Sequence, residues 1–255
     1  MAFKVFIPAR YASSRFPGKP LIDLAGKTMI QRVYEQAQKS RADAVYVATD
    51  DDRIREAVQA FGGEAIMTRA DHETGTDRIR EAASAVGLAA DDIVVNVQGD
   101  EPLMPSQAIN QVALGIHGEV RMSTLKEPLM DMTDVMNTNV VKVVVDADDV
   151  ALYFSRAPVP WSRDDFSDET VGTLPAAAWF RHLGVYAYTV GMLEQYVSWP
   201  ASELEQLEKL EQLRVLANGE KIRVLTCDAE IPPGIDAPED VPRTLARLGA
   251  EGEPT

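Results

Sequence analysis

The stretch "DAVYVATDDDRIREAVQAFGGEAIMT", residues 43–68, decides the fold. "DAVYVATD" reads as a buried strand, "DRIREAVQAFGG" as a helix that Gly62-Gly63 ends, and "EAIMT" as the next strand. The same unit recurs outward in both directions. Before it, "KVFIPA" (4–9) is a buried strand and "TMIQRVYEQAQKS" (28–40) sets Met29, Ile30, Val33 and Ala37 at helical spacing. After it come the helical "TDRIREAASAVG" (76–87) and the strand "DDIVVNVQGDEP" (91–102). Strands and helices that alternate at this length imply an α/β fold: a mostly parallel central sheet with helices on both faces. In such sheets ligands bind beyond the carboxyl ends of the strands.

From Arg121 the rhythm changes. "RMSTL" (121–125), "VVKVVVD" (140–146) and "ALYFSRAPV" (151–159) are strand-like with little helix between, which predicts a smaller mixed or antiparallel lobe. "SRDDFSDETVGTLPAAA" (162–178), with its acids, glycine and proline, reads as a mobile loop. In "SELEQLEKLEQLRVLANG" (202–219), Leu204, Leu207, Leu210, Leu213 and Leu216 recur every third residue. On an ideal helix such a stripe retreats about 60° per step, so either the helix breaks or it is contacted on several faces. Glu208, Glu211 and Gln212 would share one face of an unbroken helix, and Asn218-Gly219 is its expected end. "KIRVLTCD" (221–228) is a final strand, and "GIDAPEDVPRTLARLG" (234–249) a loop leading into a last helix.

Composition narrows the function. A net charge of -15 over 255 residues argues against nonspecific binding to nucleic acid or anionic membranes. A single cysteine, Cys227, excludes an intrachain disulfide and a CxxC site and fits a reducing cytoplasm. Val5-Phe6-Ile7 is too short for a signal peptide, and no run approaches the ~20 apolar residues of a membrane span.

Against that acidic background, "IPARYASSRFPGKPL" (7–21) places Arg10, Arg15 and Lys19 on a Gly/Pro-punctuated loop directly after the first strand. Gly18 and the small Ser13-Ser14 pair let backbone N–H groups approach a polyanion, and the cations supply charge-assisted donors, so the obvious ligand is a triphosphate. The plainer account is a solvated loop whose cations offset nearby carboxylates. No G-x-G-x-x-G follows the first strand, which disfavours a nicotinamide dehydrogenase, and "LIDLAGKT" lacks the first glycine of a P-loop. Asp100, at the end of a candidate central strand, is placed to hold Mg²⁺ alongside substrate phosphates; otherwise it is a turn or capping aspartate. Asp236 is a second carboxylate for that role, or an ordinary helix start. In "HETGTDR" (72–78), Thr76 or Asp77 is a candidate N-cap, and Arg78 in the first turn opposes the helix dipole and calls for an anionic or carbonyl partner. Arg181 and His182 precede a buried strand in "FRHLGVYAYTV" (180–190), where a lone histidine is more often structural than a ligand. Three histidines, none in H-x₃-H spacing, argue against zinc, and no serine-nucleophile motif is present.

Seven motifs in order, "IPARYASSRFPGKPL", "GTDR", "VNVQGDEP", "ALYFSRAPVPW", "RHLGVYAY", "LEQLRVL" and "GIDAPED", closely resemble the 3-deoxy-manno-octulosonate cytidylyltransferase (CMP-Kdo synthetase) family across nearly the whole chain. The resemblance implies a nucleotidyltransferase-type fold and a cytoplasmic bacterial homodimer. Its members use Mg²⁺ to join CTP and the acid sugar Kdo into CMP-Kdo and pyrophosphate for lipopolysaccharide synthesis. Carried onto this sequence, Arg10, Ser13, Arg15, Lys19, Thr76 and Arg78 match CTP-site residues. Asp100 and Asp236 match the Mg²⁺ carboxylates, so that Arg15, Lys19, Asp100 and Asp236 form the catalytic set. Gln98, Arg156, His182, Tyr186, Glu211 and Gln212 match the sugar site, where Arg156 or His182 is expected to be the cationic partner of the sugar carboxylate. The chain is read as one domain over residues 1–255: 1–120 mainly for CTP, 121–190 for dimerisation and part of the sugar site, and 191–255 for the sugar-site helix and the return to the sheet. Ser14, Phe16 and Glu73-Thr74 depart from the family's usual residues without removing a charge or metal role. Rival readings are a cytidylyltransferase for 8-amino-Kdo or a sialic acid, and a noncatalytic nucleotide-binding regulator.

Overall fold

Val5, Phe6 and Ile7 have no accessible surface, and the strand that carries them, β1 (Lys4–Ala9), runs through the interior of a nine-stranded sheet. The computed structural model describes residues 2–12, 16–72, 74–163, 166 and 179–250. After β1 a tight hairpin, β2 (Asp23–Leu24) and β3 (Lys27–Thr28), turns through Ala25 and Gly26. Both residues have positive φ, the backbone that a two-residue hairpin of matching twist requires.

The alternation read from the sequence follows as α1 (Met29–Gln38), β4 (Ala44–Thr49), α2 (Asp52–Ala60), β5 (Glu64–Met67), α3 (Gly75–Ala85) and β6 (Ile93–Asn96). Each of these helices starts on a side-chain cap: Thr28, Asp51 and Thr74 accept from backbone N–H groups of the first turn. The next helix, α4 (Ser106–Leu114), has no counterpart in the sequence reading. The lobe comprises β7 (Met122–Pro128), α5 (Met132–Met136), β8 (Lys142–Val145), β9 (Ala151–Ser155) and β10 (Phe180–Thr189). Then come α6 (Val190–Ser198), α7 (Glu203–Glu208), α8 (Leu213–Ala217), β11 (Ile222–Thr226) and α9 (Val241–Ala250).

Strand order is β11-β7-β10-β6-β1-β4-β5, with β8 joined to β10 and β9 to β8. The run β6-β1-β4-β5 is parallel, as is the β7–β11 pair, whereas β10 is antiparallel to both β6 and β7. One face of the sheet packs on α1, α2 and α4 through Ile30, Val33, Ile54, Val58 and Ile109, and the other on α3, α6 and α8 through Ile79, Met192, Leu193 and Leu213. This is the α/β fold with a mixed extension that the sequence implies.

Of the two alternatives for the leucine-rich segment, the break is the one found: Lys209 takes left-handed φ 55°, ψ 47° between α7 and α8, leaving Leu207 exposed and Leu210 and Leu213 buried. Three local expectations are corrected. Glu208 therefore does not share a helix face with Glu211 and Gln212; its carboxylate accepts from Ser155 Oγ (2.6 Å) and Arg156 N (2.9 Å). The cap of α3 is Thr74, not Thr76 or Asp77, and Asp77 completes a capping box with it. Arg181 and His182 lie inside β10 rather than before it. Most of the acidic 162–178 segment lies outside the described residues.

Candidate active site

Where β1 and β6 end, two cavities of about 270 and 330 Å³ open side by side. Gly75, Gln98 and Glu211 line both. Their position beyond strand carboxyl ends is the one the fold type favours. Two glycines allow close backbone approach here: a Cβ on Gly99, in the wall of the smaller cavity, would stand 2.8 Å from the Pro8 carbonyl, and one on Gly234 2.9 Å from the Asp100 carbonyl. Both chains can approach so closely only without a side chain.

The smaller cavity is cationic. Arg10, Lys19 and Arg78 line it, with Asp100 opposite. Gly18, at φ +72°, turns the loop back so that its N–H donates to the Tyr11 carbonyl (3.0 Å), and Lys19 follows directly. Lys19 Nζ donates to Asp100 Oδ2 (2.7 Å) and to the Ile235 carbonyl (3.0 Å). The Ile235 N–H donates to the Asp100 carbonyl (2.9 Å), so the remote segment bearing Asp236 is pinned against Asp100. Arg78 is buried; its guanidinium donates to Thr68 Oγ1 (2.6 Å) and lies 3.4 Å from Asp50 Oδ1, the anionic partner its unfavourable helix position called for. Ser13 and Arg15 lie outside the described residues.

Among the described residues, no cluster of three or more His, Cys, Asp or Glu side chains is arranged to hold a metal. Asp100 and Asp236 offer hard carboxylate oxygens beside a cationic cavity. That set suits Mg²⁺, which binds through one or two carboxylates and leaves its other positions to phosphates and water. Glu101, which the sequence reading passed over, feels the charge of both aspartates. Burial, then the neighbouring Asp100 charge, push its carboxyl up to about 8, and its Oε2 is buried with no hydrogen-bond partner. An acid between Asp100 and Pro102 was the available signal.

The larger cavity is lined by amide, phenol and carboxyl groups. Thr76 Oγ1, on the first turn of α3, donates to Glu211 Oε2 (3.3 Å), which joins the two cavities' walls. Burial raises the Glu211 carboxyl above its ordinary range, with the Thr76 hydrogen bond opposing. His182 is held where β10 slips register against β7, between Leu183 and Tyr186. Such bulges re-aim side chains beside functional sites. Thr124 Oγ1 donates its proton to the Leu183 or Val185 carbonyl and stands 3.0 Å from His182 Nε2, so the imidazole is the donor in that contact and Nδ1 keeps its lone pair. Burial, reinforced by Arg181, holds His182 down to about 3. It is therefore neutral at physiological pH in this structure.

Gln98, Tyr186 and Gln212 also line this cavity. Arg156 does not: its guanidinium donates to the carbonyls of Glu208 (2.7 Å) and Thr138 (3.0 Å), apart from both cavities. The residues brought together are thus Arg10, Lys19, Thr76, Arg78, Gln98, Asp100, His182, Tyr186, Glu211 and Gln212; Asp236 lines neither cavity, but its neighbour Ile235 is hydrogen-bonded to Asp100 and Lys19.

Comparison with known proteins identifies relatives of this chain. The sequence model of the cytidylyltransferase family matches residues 5–222. A 3-deoxy-manno-octulosonate cytidylyltransferase of Cellvibrio japonicus is 53% identical over 97% of this chain and 98% of its own length. One from Pseudomonas syringae pv. syringae is 55% identical over 97% and 98%. The solved structure of a CMP:2-keto-3-deoxy-manno-octonic acid synthetase complexed with CTP superposes with a TM-score of 0.88 at 41% identity, covering 98% of this chain and 99% of that one. On the motifs, the fold and these matches together, the chain belongs to the 3-deoxy-manno-octulosonate cytidylyltransferase family of nucleotidyltransferases.

Proposed function

We propose that this enzyme transfers CMP from CTP to the anomeric hydroxyl of 3-deoxy-D-manno-octulosonate, giving CMP-Kdo and pyrophosphate for lipopolysaccharide synthesis. The observation that carries the reading is the pair of adjoining cavities, one cationic beside Asp100 and one lined by amide, phenol and carboxyl groups together with Lys209, with Gln98 and Glu211 in both walls. A triphosphate suits the first and a polyhydroxylated acid the second, so their shared wall is where the two substrates would meet.

In the reaction the sugar hydroxyl, giving up its proton to solvent, attacks the α-phosphorus of CTP, and the bond from that phosphorus to the oxygen bridging to the β-phosphate breaks as pyrophosphate leaves. Arg10 and Lys19, with Arg15 from the same loop, hold the triphosphate in line and offset charge on the leaving group. Thr76 and Glu211 fix the junction between the substrates. Gln98, His182 Nδ1, Tyr186 and Gln212 orient the sugar, His182 as a neutral hydrogen-bonding group. Asp100 and Asp236 would hold Mg²⁺, which when bound lowers the pKa of a coordinated hydroxyl and neutralises phosphate charge. Lys19, now on Asp100, would be released to the phosphates.

Replacing Asp100 or Asp236 by Asn tests this assignment: turnover should be abolished while CTP binding in the absence of sugar persists. Unchanged turnover would refute the metal role, and a wild-type protein that binds CTP but never turns over would favour the regulator reading. The relatives' names do not favour the 8-amino-Kdo or sialic acid alternatives. The same reading puts a homodimer in the bacterial cytoplasm, with strands between Arg121 and Val190 at the interface. Sedimentation equilibrium should give twice the mass of 27.9 kDa, and monomer alone would contradict it.

A further inference from the structure

Four residues that line the larger cavity each carry a buried side-chain atom without a hydrogen-bond partner: Asn96 Oδ1, Glu101 Oε2, Tyr196 Oη and Gln212 Nε2. Buried polar atoms are nearly always paired, so four orphans in one wall mark positions that a ligand pairs. Glu101 and Gln212 already belong to the site as described; Asn96 and Tyr196 do not, and both are only 2% exposed.

Each is held in place by its neighbours. Asn96 ends β6 directly opposite Tyr186 of β10, and the Tyr188 hydroxyl is within hydrogen-bonding reach of the Asn96 and Thr76 side chains. Asn96 Oδ1 is left without a partner. The Tyr196 ring is clamped by the Arg214 guanidinium, 4.4 Å from its centroid, which Glu205 grips through Arg214 Nε (2.8 Å) and Nη2 (2.5 Å). Neither Asn96 nor Tyr196 lines the cationic cavity, so both face the part of the sugar remote from the phosphates.

We infer that Asn96 and Tyr196 are specificity-determining residues that pair with hydroxyl groups of the sugar away from its reacting end; this rests on the proposed function. Hydroxyls fit because the orphans mix acceptors, an amide donor and a phenol that can be either, and only a group that both donates and accepts satisfies all of them. An ammonium in place of a hydroxyl would leave Gln212 Nε2 unmet.

The test is pyrophosphate release by the full chain with CTP, Mg²⁺ and Kdo, for wild type, Tyr196→Phe and Asn96→Leu. Each variant should lose about tenfold in kcat/KM for the sugar, the worth of one hydrogen bond, with KM for CTP unchanged. Tyr196→Phe removes only an unpaired hydroxyl from the free protein, so its Tm should be equal or higher. Across Kdo analogues each lacking one hydroxyl, wild type should lose about tenfold against one that Tyr196→Phe handles no worse than Kdo. Wild-type kcat/KM in Tyr196→Phe, or an equal loss on every analogue with a lowered Tm, would overturn this inference alone. A wild type that releases no pyrophosphate with Kdo would overturn the proposed function and this assignment with it.

Discussion

Acid should destabilise this protein through His182, by an amount the structure allows to be worked out. The imidazole has an ordinary value of 6.5 and is held at about 3 in the folded chain, chiefly by burial. Between those values the unfolded chain binds a proton that the folded one excludes, so stability rises with pH across this window and is lost as pH falls below 6.5 toward 3. For those two values the loss between pH 7 and pH 5 is about 2 kcal/mol, and in a chain of this size that shifts Tm by roughly 4–8 °C. The perturbation is His182→Gln, whose amide can still donate to Thr124 but cannot take up a proton. Urea or thermal denaturation of both proteins at pH 7 and pH 5 isolates the effect, because every other titrating group is common to them. Wild type should lose about 2 kcal/mol more than His182→Gln on acidification. Parallel losses would refute the claim that this histidine is buried and neutral.

Three further outcomes are expected. Lys19→Met should lower kcat/KM for CTP about 100-fold, as loss of one preorganised charged donor does; steady-state kinetics check it, and a change under threefold contradicts the phosphate role. Gly234→Ala puts a methyl against the Asp100 carbonyl and displaces the loop that carries Asp236, so kcat should fall about tenfold or more with little change in CTP binding. Thr74→Ala removes the capping box of α3 and should cost about 1 kcal/mol of stability in urea denaturation.

The parallel half of the fold was legible because its signals are local. Near-continuous apolar strands such as β1 and capped helices such as α1 announce themselves within ten residues. Helix α4 was not read, since its cap position is Pro105, with no side-chain hydrogen bond, and its first turn has no acidic residue. The break at Lys209 was half legible: the every-third leucine pattern conflicts with an unbroken helix, but a lysine in left-handed conformation has no sequence signature. At the site, the basic loop and Asp100 stood out by charge against an acidic chain. Asp50, the partner of Arg78, and the apposition of the 234–236 loop to Asp100 depend on pairings across the sheet that no local pattern encodes. The charge state of His182 was misjudged for the same reason, because burial by Phe154, Tyr186 and Thr124 comes from three separate segments.

The most direct measurement is pyrophosphate release with Mg²⁺, each of the four ribonucleoside triphosphates being offered against Kdo, 8-amino-Kdo and a sialic acid. Release confined to CTP with Kdo, matched mole for mole by CMP-Kdo, is the predicted result. Release with another triphosphate or another acid sugar, or with none, would contradict the account.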